Sequence, residues 1–169
     1  MHPLVQLAKE AISEYVKNKV MITPPDDMGS EMKERAGVFV SLKKAGQLRG
    51  CIGTFYPVRE NVAWEIIRNA LSAATDDPRF SPVRSDELED ITYSVDVLTS
   101  PVKVDGISEL DPAKYGVIVA QGNRRALLLP ALEGVDTVEE QLRITKMKAG
   151  INPHDTDVEI FKFEVRRYF

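Results

Sequence analysis

Cys51 is the only cysteine in the 169-residue chain, and its neighbours could support thiol chemistry. Arg49 lies two positions earlier, so in a strand both side chains are expected on the same face. A nearby guanidinium group favours the thiolate, which is the nucleophilic form of cysteine. Cys51 and Arg49 are therefore the candidate catalytic residues. The alternative is a structural role, because free cysteines are often small buried side chains.

Two glycines lie close to this cysteine, Gly50 before it and Gly53 after it. Glycine inside a strand indicates a bulge or a place where another group approaches the backbone closely. Together with Thr54, these glycines are candidate substrate-binding residues. Close packing of the backbone is the alternative, and the spacing does not fit a phosphate-binding glycine loop.

A second polar segment, residues 76–79, contains two aspartates and an arginine. Arg79 and Arg49 could together clamp a carboxylate or phosphate, because each guanidinium presents a planar fork of donors. Asp77 and Arg79 are therefore also candidate substrate-binding residues. In the alternative, Arg79 pairs with Asp76 or Asp77 to brace its own loop, and the two aspartates form a solvated turn.

Other catalytic groups are sparse in this sequence. Thiol chemistry also needs a base, and His154 is the only plausible histidine, although its loop is typical of a solvated turn. His2 lies in a terminus expected to fray. Two histidines and one cysteine are too few ligands for a zinc site, and one cysteine cannot hold an iron–sulfur cluster. The sequence implies no metal or cofactor, leaving only a carboxylate site for magnesium or calcium open.

Charge and composition narrow the class of partner. The net charge of -4 and the pI of about 5.3 give no basic footprint for nucleic acid. A local basic cluster lacks the interleaved aromatic residues that stack on bases; its members are Arg124, Arg125, Lys146 and Lys148. No apolar run approaches the roughly 20 residues that span a bilayer. With a single cysteine, which suits a reducing compartment, this predicts a cytoplasmic protein with no membrane partner, and it argues against a nucleic-acid partner.

Hydrophobic periodicity predicts the elements that position these residues. The predicted order is a helix at 3–19, an irregular segment at 21–34, a hairpin at 37–55, a helix at 60–75, strands at 91–98 and 102–104, a single helical turn at 111–115, a hairpin at 117–129 on a two-residue turn, a helix at 137–149 and a closing strand at 158–165. Both halves share the order hairpin, helix, strand. We therefore expect one α+β domain over residues 1–169, with a mostly antiparallel sheet, flanking helices and an internal duplication as a hypothesis.

The loop of the first hairpin decides which face carries the cysteine. A three-residue loop with Gly46 left-handed would pair Lys43 with Gln47 and place Phe39 opposite Cys51. A two-residue loop would shift the register by one residue and turn the cysteine toward the valine face. The pattern favours the three-residue loop.

Residues 48–54, Leu-Arg-Gly-Cys-Ile-Gly-Thr, resemble the signature of the AMMECR domain family. The resemblance covers nearly the whole chain, through matching residues within 73–80, 87–88, 94–98, 110–116, 127–130 and 148–150. It implies an α+β fold of two unequal lobes, with a cleft between them near residues 48–54. Ala126 and Ala131 depart from the glycine and the acidic or amide residue expected around Leu-Leu-Leu-Pro, which argues against a functional role for either alanine.

The resemblance is to prokaryotic members of the AmmeMemoRadiSam system, whose companions are a Memo-like protein and a radical S-adenosylmethionine protein. It implies no settled activity. One hypothesis is an enzyme or catalytic accessory subunit acting on a small or tethered substrate in a cleft lined by Arg49, Cys51, Thr54, Asp77 and Arg79. The alternative is a non-catalytic module that binds a partner protein and uses residues 48–54 as a structural pivot. RNA binding is a weaker third hypothesis.

Overall fold

The computed structural model describes residues 1–169. They form two compact units: residues 1–97 with 166–169, and residues 98–165. Each unit combines helix with antiparallel sheet, which confirms the predicted α+β class. The predicted cleft between two lobes remains a prediction.

The regular elements follow the predicted order closely. They are α1 (Pro3–Asn18), α2 (Ser30–Lys33), β1 (Val38–Lys44), β2 (Gln47–Gly53), α3 (Val62–Thr75), β3 (Ile91–Leu98), β4 (Val102–Lys103), β5 (Gly116–Gln121), β6 (Arg124–Leu128), α4 (Val138–Ala149), β7 (Glu159–Phe163) and β8 (Val165–Tyr168). Two short 3-10 helices, Ser85–Asp90 and Ile107–Glu109, were not predicted. No helix combines the length and the apolar character needed to cross a membrane.

The first unit has a four-stranded sheet in the order β2-β1-β3-β8, with α1 and α3 in its core. Alternate residues of β1, namely Val38, Val40 and Leu42, are fully buried in that core. Small residues on α3 let the helix approach the sheet closely, and Ala63, Ala70 and Ala73 are almost completely buried. The opposite face of β1 therefore carries its polar and aromatic residues, including Ser41.

The register of the first hairpin differs from the prediction. Ala45 and Gly46 form a two-residue turn, both with positive φ, so Lys44 rather than Lys43 pairs with Gln47. Used alone, this turn would put the cysteine on the core face. A β-bulge restores the alternation, because Lys43 pairs with Leu48 and the next pair is Leu42 with Gly50.

The extra residue in that bulge is Arg49, and the bulge places Cys51 opposite Ser41 instead of Phe39. The predicted three-residue loop was therefore wrong. The expected orientation of the cysteine away from the valines is nevertheless found, because the turn and the bulge each shift the register by one residue, and a total shift of two residues keeps the same face.

The second unit packs α4 on a sheet in the order β4-β7-β5-β6. Thr137 caps α4 by accepting a hydrogen bond from the Glu140 N–H at 3.1 Å, and Gly150 ends it in the left-handed conformation, with φ 73. Both features fit the ends of the helix predicted at 137–149. The hairpin of β5 and β6 has the predicted two-residue turn, with Gln121 opposite Arg124.

Residues 111–115 form the predicted single helical turn, because the N–H groups of Lys114 and Tyr115 donate to the Asp111 carbonyl at 3.0 and 2.7 Å. Two other local predictions were wrong. The closing strand is divided into β7 and β8, which belong to different sheets. The N-terminus is anchored, because His2 accepts the Leu4 N–H at 3.3 Å and its ring lies 4.2 Å from that of Tyr168.

The two sheets share a strand arrangement. In each, the first strand of the hairpin lies between its partner and the strand after the helix, giving β2-β1-β3 and β6-β5-β7. All of these pairings are antiparallel. The arrangement agrees with the hypothesis of duplication, which remains a prediction.

Candidate functional site

Cys51 lies on the face of the first sheet opposite to the helices. The strand register places it in one row with Ser41 and Ser94 across β2, β1 and β3. The cysteine is half-buried, and the Ser41 Oγ donates a hydrogen bond to its Sγ at 3.1 Å. A hydroxyl donor in this position would stabilise a negative charge on the sulfur.

The backbone of Cys51 faces the open edge of β2, where strands normally leave N–H and C=O groups unpaired. Here both groups have partners from the segment after α3. The Cys51 N–H donates to Asp77 Oδ2 at 3.0 Å, and Arg79 Nη2 donates to the Cys51 carbonyl at 3.2 Å. This Asp–Arg pair takes the place of a neighbouring strand.

Asp77 and Arg79 also bind each other. Arg79 donates through Nε at 3.0 Å and through Nη2 at 2.8 Å to the two carboxylate oxygens. The guanidinium holds the pKa of the Asp77 carboxyl well below its usual range, and the N–H groups of Cys51 and Arg79 add to this effect. The predicted solvated turn was wrong for Asp77, which is buried, whereas Asp76 is exposed.

A second arginine, Arg167, is held in the same way on β8. It donates to both carboxylate oxygens of Asp96 at 2.7 Å. Both aspartates are almost fully buried, while the side chains of Arg79 and Arg167 are 55% and 53% exposed. Each arginine is thus fixed from below by a buried carboxylate and presents part of its guanidinium to solvent.

Sequence reasoning missed Asp96 and Arg167. The strand alternation places Asp96 among the polar positions of β3, but nothing in the sequence pairs it with a residue 71 positions away.

The pKa values of Arg79 and Arg167 are both raised. The Asp77 carboxylate is the main cause of the raised pKa of Arg79, and the Asp96 carboxylate is the main cause of the raised pKa of Arg167. A thiolate at Cys51 would raise both pKa values further, because opposite charges attract. Two cations therefore lie within electrostatic range of the sulfur.

Arg49, the predicted partner of Cys51, has different contacts. Its guanidinium donates to both carboxylate oxygens of Glu87, at 3.0 and 2.9 Å, and to the Ser81 carbonyl at 2.9 Å. Arg49 is the main cause that lowers the pKa of Glu87 to about 2. Arg49 therefore joins β2 to the 3-10 helix Ser85–Asp90. The predicted clamp of Arg49 and Arg79 on one ligand remains a prediction.

Gly50 and Gly53 are sites of close packing. A Cβ atom on Gly50 would lie 2.2 Å from the Ala73 carbonyl oxygen of α3. A Cβ atom on Gly53 would lie 2.2 Å from the ring of Phe39, which covers this glycine. These contacts match the structural alternative for both glycines. Their assignment as substrate-binding residues remains a prediction.

Thr54 belongs to a buried polar network. Its hydroxyl donates to Glu65 Oε1 at 3.0 Å and accepts a hydrogen bond from Asn69 Nδ2 at 3.2 Å. Glu65 also accepts the backbone N–H groups of Val58 and Arg59. Glu65 and Asn69 were not singled out in the sequence, because they lie among the apolar residues of a helix without a distinguishing motif.

The remaining candidates lie in the second unit. His154 is exposed in a turn, with its N–H bonded to Asn152. Three members of the basic cluster bind main-chain carbonyls, namely Arg124, Lys146 and Lys148. Burial lowers the pKa of Lys148. No group of three His, Cys, Asp or Glu side chains is arranged to hold a metal ion.

Comparison with known proteins places this geometry in a family. The family model described as AMMECR1 matches residues 5–168. A protein from Thermotoga maritima is 57% identical, over 99% of this chain and 97% of its own length. A protein from Clostridium acetobutylicum is 54% identical over 98% of this chain, which spans only 36% of that relative.

A solved structure is also similar to this chain over most of its length. The crystal structure of an uncharacterised protein from Pyrococcus horikoshii matches with a TM-score of 0.87 and 37% identity. The match covers 97% of this chain and 88% of that chain. Because the family model spans both units and the signature residues 48–54, the chain belongs to the AMMECR1 family.

Proposed function

We propose that this protein is an enzyme, or a catalytic accessory subunit, in which the Cys51 thiol acts on a small or tethered substrate. The observation that carries the proposal is the set of contacts around the sulfur. Ser41 donates a hydrogen bond to it, and Arg79 and Arg167 lie within its electrostatic range. Reactive cysteines occur in such electropositive, partly exposed surroundings.

The two arginines also suit a substrate with a negative group. Each is fixed by a buried carboxylate, and Nη1 of each makes no hydrogen bond within the protein. A fixed guanidinium loses little freedom when it binds a carboxylate or phosphate. In this proposal Arg79 and Arg167 position the substrate, Ser41 stabilises the thiolate and Cys51 is the nucleophile.

The reactivity of Cys51 tests the proposal directly, since Cys51 is the only thiol. We expect iodoacetamide to alkylate Cys51 in the folded protein at neutral pH, and severalfold more slowly in Arg79→Gln, Arg167→Gln and Ser41→Ala. Arg49→Gln serves as the matched control, because it removes the same charge from a guanidinium bound to Glu87. A thiol that reacts only after unfolding would overturn the proposal.

A second function, binding of a partner protein without catalysis, has its own support. The polar groups of Arg49, Thr54 and Asp77 bind other parts of the protein, as expected if residues 48–54 form a structural pivot. This function requires no reactive thiol. A Cys51→Ser variant that retains all activity in cells, together with a protected thiol in the alkylation assay, would favour it.

We also propose that the protein works in the cytoplasm with Memo-like and radical S-adenosylmethionine companions. The family resemblance supports this partnership, and the Clostridium acetobutylicum relative contains the matching region within a much longer chain. Co-expression of the tagged protein with each companion from one genome tests it. Co-elution in gel filtration is expected, and separate elution at micromolar concentration would contradict direct binding.

A further inference from the structure

A cavity of about 400 Å³ in the first unit is separate from the proposed thiol site. It is lined by α1, by α3 and by the segment between β2 and α3. Its volume falls within the range of roughly 300–1,000 Å³ that is usual for small-molecule sites. The two helices that form its walls also contribute to the core of the unit.

Two arginines line this cavity and neither forms an ion pair. Arg59 comes from the connecting segment, and Arg68 from α3, where its Nη1 contacts only the Met21 sulfur at 3.0 Å. Asp76 is the single acidic residue in the lining. The cavity therefore carries an excess of positive charge in a protein whose net charge is -4, which favours an anionic ligand.

The backbone that carries Arg59 is held by a buried carboxylate. Glu65, which is 1% exposed, accepts the N–H groups of Val58 and Arg59 at 3.0 and 2.9 Å. It also accepts the Thr54 hydroxyl at 3.0 Å. Arg59 thus extends from a fixed backbone, and less conformational freedom is lost when its guanidinium binds a ligand.

Asn69 supplies an independent sign of a ligand. It is 7% exposed, and its Nδ2 donates to the Val38 carbonyl at 2.9 Å and to the Thr54 hydroxyl at 3.2 Å. These two bonds fix the amide with its Oδ1 as the remaining polar atom. No donor within the protein contacts this oxygen, and Asn69 is one of the residues that line the cavity.

A largely buried acceptor without a donor is costly, and such groups are normally satisfied. We propose that this cavity binds a small phosphorylated or carboxylated molecule that also carries an N–H or O–H donor. The anionic group binds Arg59 and Arg68, and the donor binds Asn69 Oδ1. The proposal does not depend on the thiol function, because none of these residues contacts Cys51 in the hydrogen-bond network described above.

Two probes separate the anion contact from the donor contact. Phosphoethanolamine and phosphocholine share a phosphate and a positive charge, but only phosphoethanolamine carries N–H donors. We expect both to bind in isothermal titration calorimetry, with phosphoethanolamine about tenfold tighter because a hydrogen bond to a charged donor is lost in phosphocholine. Inorganic phosphate, which lacks the organic part, is expected to bind more weakly than either.

The double variant Arg59→Gln/Arg68→Gln should abolish binding of both probes. Arg125→Gln/Arg166→Gln is the matched control, because it removes the same charge from exposed arginines and should leave binding unchanged. Equal affinities for the two probes would overturn the role of Asn69. Absence of binding up to about 10 mM, a range in which even very weak complexes are detected, or equal losses in both double variants, would overturn the site.

Discussion

The backbone N–H of Cys51 donates to Asp77 Oδ2 at 3.0 Å, so a side chain from the end of α3 closes the edge of β2. The same carboxylate fixes Arg79, one of the two cations near the cysteine sulfur. Asp77 therefore fixes both the backbone of Cys51 and the cation Arg79 beside it. Four predictions test this and the neighbouring contacts.

Replacing Asp77 with Asn should lower the free energy of unfolding by about 1–3 kcal/mol, because a buried ion pair and a strand-edge contact are weakened together. This loss is smaller than the loss usual on breaking a fully buried ion pair, because Arg79 is more than half exposed and can be solvated. Urea denaturation monitored by circular dichroism measures the change.

Asp76→Asn is the matched control for Asp77→Asn. Asp76 is the neighbouring residue, is exposed, and forms no ion pair, so its substitution should change stability by less than about 0.5 kcal/mol. Equal effects of the two substitutions would show that the Asp77 contacts contribute nothing specific.

Glu87 should make stability depend on pH in the acid range. Arg49 is the main cause that lowers its pKa in the folded protein from 4.5 to about 2. In this range the unfolded chain binds a proton that the folded protein excludes, so the stabilisation is present above pH 4.5 and is lost as the pH falls toward 2. We expect a loss of about 1–2 kcal/mol, reduced by solvent screening near the surface.

Glu87→Gln isolates this contribution. The variant should be less stable than the wild type at pH 6, and its stability should fall less steeply between pH 5 and pH 2.5. Chemical denaturation at a series of pH values gives both slopes. Parallel curves for the two proteins would contradict the assignment to Glu87.

Gly50→Ala should destabilise the protein by about 2–4 kcal/mol, because the added methyl group collides with backbone and cannot be relieved by a rotamer change. The collision is with the Ala73 carbonyl oxygen, which would lie 2.2 Å from the new Cβ. Gly29→Ala is the control, since nothing lies within 4 Å of a Cβ there. Thermal unfolding of both variants is the measurement, and comparable melting temperatures would refute the packing argument.

Ala45→Asn should stabilise the protein by about 0.5–1 kcal/mol. Ala45 has φ 51, a left-handed conformation that asparagine tolerates better than alanine, and Asn-Gly favours this hairpin turn. The gain should appear as a higher urea midpoint with an unchanged slope. A lower midpoint would mean that the two-residue turn does not set the register of β1 and β2.

Much of the fold could be predicted from the sequence, because its signals are local. The apolar stripes of α1 and α3, the alternation of Ile91, Tyr93, Val95 and Val97, and the Thr137 cap of α4 each act within a few residues. The first hairpin shows the limit. Its turn and its bulge each shift the register by one residue. The same residues face the core whether both shifts are present or both are absent, so the alternation pattern cannot distinguish the two registers.

The sequence by itself determined the position of the candidate site, because Cys51, Arg49 and the close-packed glycines all lie in one stretch. Only the tertiary structure decided which groups surround the sulfur. Asp77 and Arg79 come from the end of a helix 26 residues or more away, and Asp96 and Arg167 join strands that are 71 residues apart. Such contacts arise from chain closure over long distances, which leaves no periodic pattern in the residues themselves.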